Sequence, residues 1–270
     1  MMKRSIFGGA VVMAAVLPGL MAQPRPKTQE EFDAVKAMFG AATADARIAA
    51  AENLLTKFAD TQFKATALYF EAMSYEQKGD YDHSVVFGER TLEADPNHYQ
   101  AMLMLALEIA QHTKEFDLDK AEKLAQVDKY TKKALELLKD APKPNAGLTD
   151  DQWAAGKKDF ESQAHTAMGM SALADKKYDA AEREFKTAIE VGSQPDPSNL
   201  VRLGKAYYEE AKYDDAIAQF DKVMATPDVN PTVRQIAQAE RVRSIQKKGG
   251  AKPATPAAQP DAPKPETPKP

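Results

Sequence analysis

The stretch that decides the fold is residues 200–223, LVRLGKAYYEEAKYDDAIAQFDKV. Apolar side chains recur at Leu200, Leu203, Gly204 and Tyr207, and again at Tyr213, Ala216, Phe220 and Val223. Both sets have the spacing of one face of an α-helix. Between them, Glu209-Glu210-Ala211-Lys212 leaves room for a single tight turn. Gly204 and Ala216 are small enough to let two helices come close, and Tyr207, Tyr213 and Phe220 are large enough to fill the space around them. The stretch therefore predicts two antiparallel helices in intimate contact.

This arrangement of large and small residues resembles a tetratricopeptide repeat, a helix–turn–helix unit of about 34 residues. Working outward, similar pairs can be traced in both directions. Residues 151–192 place Met168, Gly169 and Ala172 on a long first helix (153–175), then Tyr178, Ala181, Phe185, Ala188 and Ile189 on a second. Residues 65–97 carry Leu68, Ala72 and Tyr75, a turn at Gly79-Asp80-Tyr81, then Ser84, Leu92 and Asp95-Pro96. That unit departs from the pattern at Gly88, where a large aromatic is usual; the neighbouring Phe87 is the expected substitute.

Residues 99–142 read as an expanded unit. Met102, Leu105, Ala106 and Ile109 lie on its first helix, and Ala121, Leu124, Ala125, Ala134, Leu135 and Leu138 on a longer second one (118–138). The loop 142–147, with Pro142 and Pro144, is expected to break the register, giving an expanded repeat and loop near 112–150. Residues 31–44 and 46–58 form a degenerate first unit, with Ala49, Ala50, Leu54, Leu55 and Phe58 on one side. A last helix, 232–246, is expected to cover the open end by burying Ile236, Ala239, Val242 and Ile245, since a stacked array must cap its ends. The resemblance thus implies an all-α, right-handed helix–turn–helix solenoid of about five TPR-like repeats over residues 30–246.

The ends have a different character. Lys3 and Arg4 precede an apolar run from Ile6 to Ala22, which reads as a signal peptide over 1–22 with cleavage after Ala22. Residues 23–29 are a linker. From 247 to 270 the chain is rich in Lys, Ala and Pro and nearly devoid of large apolar residues, so it should be a disordered tail. The expected location is periplasmic or secreted, with membrane contact only through the signal segment if it stays uncleaved. The net charge of −4 combines basic ends with an acidic body, which is no footprint for nucleic acid.

Catalytic chemistry finds no foothold. There is no cysteine, which excludes thiol nucleophiles and thiolate zinc sites. No phosphate-cradling glycine loop, H-E-x-x-H or G-x-S-x-G pattern occurs. His83, His98, His112 and His165 never pair at ligand spacing and are read as surface or helix-end residues. No cofactor, metal or catalytic residue is expected.

What the resemblance implies instead is a protein-binding groove lined by the first helix of each repeat. Carried onto this chain, its positions are Tyr69, Met73, Leu103, Leu107, Thr166, Met170, Val201, Lys205 and Tyr208. A Met-rich apolar lining of this kind suits an apolar peptide or an amphipathic helix. The competing reading is that these side chains are simply core. The expected function is a non-catalytic scaffold or adaptor of the bacterial envelope with a protein or peptide partner. Two alternatives stay open: a self-associating or complex-assembly component, which would make a homo-oligomer, and an accessory subunit of an enzyme complex.

Overall fold

The computed structural model describes residues 24–145 and 147–250. The stretch read as a signal peptide, 1–22, and residues 251–270 of the expected tail lie outside the described residues. Within them, eleven helices follow one another: α1 (Gln29–Gly40), α2 (Ala44–Lys57), α3 (Lys64–Lys78), α4 (Tyr81–Ala94), α5 (Tyr99–His112), α6 (Lys120–Lys139), α7 (Asp150–Ala174), α8 (Tyr178–Val191), α9 (Pro197–Glu209), α10 (Tyr213–Ala225) and α11 (Pro231–Lys248). Each odd helix packs on the even helix that follows it, and each even helix on the next odd one. Five helical pairs and a closing helix result, with no strand among the described residues. The architecture is an all-α solenoid.

Three of the turns within pairs share one hydrogen-bonding scheme. Asp80 N–H reaches Tyr75 O, Lys177 N–H reaches Ala172 O and Lys212 N–H reaches Tyr207 O, each at 2.9 Å. The preceding residue in each case is left-handed: Gly79 at φ 73°, Lys176 at 60° and Ala211 at 60°. This is a Schellman-type helix end, and only the first is built with the residue suited to it. A left-handed alanine is disfavoured by its Cβ. We therefore expect Ala211→Gly to stabilise the protein by about 1 kcal/mol, read as a rise of about 2–4 °C in thermal midpoint. An unchanged or lower midpoint would refute the strain.

Within the last two complete pairs the fit is large into small. A Cβ on Gly169 would lie 2.6 Å from the Phe185 ring, and one on Gly204 would lie 2.6 Å from the Phe220 ring. At Gly88 the arrangement is inverted. The space is taken by Leu105 of the next helix, 2.7 Å from a Cβ placed there, while Phe87 stacks on Tyr75 at 5.3 Å.

Several expected faces turn out differently. α2 buries Ile48, Ala51 and Leu54, leaving Ala49 exposed. α6 begins at Lys120 and buries Val127, Thr131, Ala134 and Leu138; Ala121 and Ala125 face solvent. The preceding loop carries Phe116 and Leu118 fully outward. The prolines at 142 and 144 do not split the solenoid, because α7 packs on both α5 and α6. Its Trp153 and Lys157 donate to the carbonyls of Ala141 (3.3 Å) and Lys139 (2.8 Å), satisfying the end of α6. Thr149 and Gln152 form a capping box that fixes where α7 starts.

The closing helix is also turned relative to expectation. It extends through Lys248, two residues into the stretch read as tail. It buries Ala237 and Ser244, whereas Ile236, Ala239, Val242 and Ile245 are all exposed. Arg234 bonds the carbonyls of Met224 (3.1 Å) and Thr226 (3.0 Å). Close docking onto α9 and α10 selects the face with small side chains and pushes the bulkier one outward.

Candidate functional site

The candidate groove follows from the repeat geometry. The first helices of successive pairs, α3, α5, α7 and α9, each contribute residues on one side of the solenoid. At one end, Met73 is 40% exposed. Tyr69, Leu107 and Met170, from three different helices, are partly buried and pack on one cluster that includes Ala72, Met104, Ile109 and Ala167. Met170 also packs on the next cluster, where Val201 joins it. At the other end Lys205 is exposed. Six of the nine expected positions thus keep solvent contact, five of them in an interrupted apolar strip and Lys205 at its end.

The other three do not line a free surface. Leu103 is 1% exposed, enclosed by Ala134 of α6 and Ala164 of α7. Thr166 is buried and donates to Asn199 Oδ1 at 3.0 Å, itself bonded by Arg202 at 3.1 Å. Tyr208 is buried in the last cluster, with Arg243 over its ring at 4.6 Å. The cover differs from place to place: the long α7 lies on α5 as well as α6 and hides Leu103, Asn199 of α9 closes off Thr166, and Arg243 of α11 covers Tyr208.

Polar groups border the strip. His98 caps α5 through Nδ1, accepting from Ala101 N–H at 3.2 Å, and its ring packs against Tyr69 at 4.7 Å. Burial lowers its pKa, so it is held neutral. Burial likewise pushes Tyr69 upward and Tyr99 to about 12. Glu108 is raised by burial, offset by His112 and Ser84. Three of the four histidines sit at helix ends against tyrosine rings: His83 stacks on Tyr75 and His112 on Tyr81, while His98 lies tilted against Tyr69. The fourth, His165, is a mid-helix residue pairing with Glu184 at 2.7 Å, contrary to the surface or helix-end reading.

One carboxylate cluster has the closeness of a cation site, Asp179, Glu182 and Glu210. Lysines already serve it. Lys186 (2.7 Å) and Lys212 (3.1 Å) bond Glu182, and Lys212 bonds Glu210 at 2.6 Å. These ammonium groups hold Glu182 below the usual carboxylate range. The cluster ties α8 to the α9–α10 turn.

A feature that sequence reasoning passed over is Glu71. In register with Leu200, Gly204 and Tyr207, the trio Leu68, Ala72 and Tyr75 places Glu71 where α9 has the buried Leu203. Glu71 is 1% exposed, and its Oε2 has no hydrogen-bond partner. Burial, with Glu52 adding repulsion, raises its pKa to about 7. The signal was legible as a carboxylate standing in an otherwise apolar helical column.

Comparison with known proteins bears on the repeats. Family models described as tetratricopeptide repeat match residues 65–98 and 166–229. Among solved structures, a thermophilic TPR protein in Thermus thermophilus is 17% identical, over 78% of this chain and 99% of that one, with a TM-score of 0.48. The MamA RS-1 ArsTM double mutant is 16% identical over 73% and 94%, TM-score 0.44. The assembly chaperone of RpL4, Acl4, is 12% identical over 84% and 99%, TM-score 0.45. No curated protein sequence matches significantly. The two matched stretches coincide with the α3–α4 pair and with the packed α7–α10 layers. The chain is a tetratricopeptide repeat protein, built on a fold that generally serves as a non-catalytic scaffold for protein–protein interaction.

Proposed function

We propose that this protein is an exported adaptor of the bacterial envelope, directed there by residues 1–22, that holds an apolar peptide or amphipathic helix along the α3–α5–α7–α9 side. The observation that carries the reading is the convergence of Tyr69, Leu107 and Met170, from three helices, on one cluster beside the exposed Met73. Partly exposed Met and aromatic side chains at the ends of such a strip offer adaptable anchors. Lys205, beyond Val201, supplies a cationic end.

Leu107 is packed on the core and would damage the fold if charged, so the test uses the two exposed ends. Photo-crosslinkers placed at positions 73 and 205 in producing cells should capture the same foreign protein. Met73→Glu should lower that capture at least tenfold, the loss expected of an anchor worth more than about 1.4 kcal/mol, with helicity unchanged. The adaptor chain isolated from those cells should begin at Gln23. Capture of nothing, or of this chain alone, would overturn the adaptor. An intact Met1 would overturn export.

A further inference from the structure

A guanidinium carries five N–H donors and a charge it cannot shed, so one drawn partly out of water needs acceptors. Four arginines of the described residues are half-buried. Arg47 bonds Ser74 Oγ and Gln77 Oε1, Arg234 bonds two main-chain carbonyls, and Arg241 pairs with Asp221. Arg202 of α9 is the exception. It has a single acceptor, Asn199 Oδ1 at 3.1 Å, and no carboxylate among the described residues pairs with it. Burial pulls its pKa down, opposed only by the more distant Asp196, whose Oδ1 accepts from Ser198 N–H at 2.9 Å.

Asn199 is the second group left incomplete, and it is 1% exposed. Arginine can only donate, so the atom facing Arg202 must be the amide oxygen. Thr166 donates to that same oxygen at 3.0 Å. The amide nitrogen therefore keeps its two N–H donors, and no hydrogen bond among the described residues uses them.

We infer, on the groove reading given above, that the partner carries an aspartate or glutamate side chain which Arg202 and Asn199 receive in the crevice between α7 and α9. A carboxylate takes two parallel N–H bonds from a guanidinium and restores the pairing that its burial calls for. Lys205, exposed one turn beyond Val201, adds a second positive charge. The carboxylate belongs to a side chain within the partner segment because apolar contacts stand on both sides. Thr166 precedes Met170 by one helical turn on α7, and Arg202 follows Val201 on α9. Met170 and Val201 pack on the same cluster, so a segment reaching both passes over the guanidinium with its interior. The partner is an amphipathic segment with its acidic residue between two apolar anchors.

Random peptides displayed on phage through their C-termini offer no terminal carboxylate. Selection on the purified protein should enrich Asp or Glu within one helical turn of apolar residues, several-fold over the unselected pool. A selected peptide, synthesised with an amidated end, should lose affinity at least tenfold when its acidic residue becomes the amide. Arg202→Gln should cause the same loss, and both changes together should be no worse than either alone. The thermal midpoint of Arg202→Gln should be unchanged or higher, since an unpaired charge has been removed. Selected peptides without an acidic residue, or affinity indifferent to residue 202, would overturn the carboxylate site and leave the groove standing. Enrichment of no peptide would overturn the groove, and the site with it. A midpoint several degrees lower would make Arg202 a structural brace and overturn its role as a receptor.

Discussion

Gly204→Leu disrupts the α9–α10 pair. The Phe220 ring sits where a Cβ on residue 204 would need to be, 2.6 Å away, and Phe220 is fully enclosed. The ring cannot retreat, because Leu203, Tyr207, Ala216 and Val223 crowd the same cluster. Forcing carbon into a filled core costs about 1–3 kcal/mol for small insertions and more for four added heavy atoms. We expect a loss above about 3 kcal/mol, seen as a lowered thermal midpoint. Phe220→Ala alone should cost about 3–5 kcal/mol by opening a cavity. Combined, the two substitutions should cost clearly less than their sum, since the leucine occupies room the ring vacated. A strictly additive pair would mean that the two side chains do not meet.

Glu71→Gln stabilises the protein in alkaline solution and does little in acid. The folded-state pKa of Glu71 is about 7, raised from the usual 4.5 by burial and by Glu52. Below about pH 4.5 both folded and unfolded chains carry the proton, and the group costs nothing extra. Between there and 7 the unfolded chain releases its proton while the folded one keeps it, so stability falls as pH rises. Above 7 the full loss is present, about 3 kcal/mol for a shift of this size. Glutamine removes the titration while keeping the shape. Denaturant unfolding should therefore place Glu71→Gln about 3 kcal/mol above the parent at pH 8 and level with it at pH 4. Glu71→Leu, the residue that α9 carries at the matching place, should gain at pH 8 as well. Equal pH profiles for parent and variants would mean that Glu71 is ionised without penalty.

His98 works in the opposite direction. Its pKa is lowered by burial, so its contribution is present above about 6.5 and is lost as pH falls. Glu71 and Glu108 act in the opposite direction, so their penalty and that of His98 partly offset each other over the mildly acidic range.

Much of the fold was legible because each repeat is a local object. The periods of Leu200–Tyr207 and Tyr213–Val223, the tight turn between them and the glycine-to-phenylalanine fit depend on residues close in sequence. The same pattern identified the pairs beginning at α3 and α7, which are the stretches that match the repeat family. Gly88 marks the limit of that locality. Its space is filled by Leu105 from the following pair, a contact no pattern within one repeat can specify.

The candidate site was legible only as a set of positions. Periodicity placed Leu103 and Thr166 on the same side of their helices as Met73. It could not say that α7, running 25 residues, would lie across α5 and bury Leu103, or that Asn199 of α9 would close off Thr166. That burial depends on how far one helix extends over another, which is a property of the assembled layers.

By itself, the sequence determined the helical pairs, their turns, their order and the absence of thiol chemistry, because spacing and residue size act over a few turns of chain. Only the tertiary structure decided which face of each helix is hidden. α11 offers two candidate faces. Docking beside α9 and α10 favours Ala237 and Ser244, because small side chains permit the closest approach of helix backbones. Ile236, Val242 and Ile245 are thereby left facing outward.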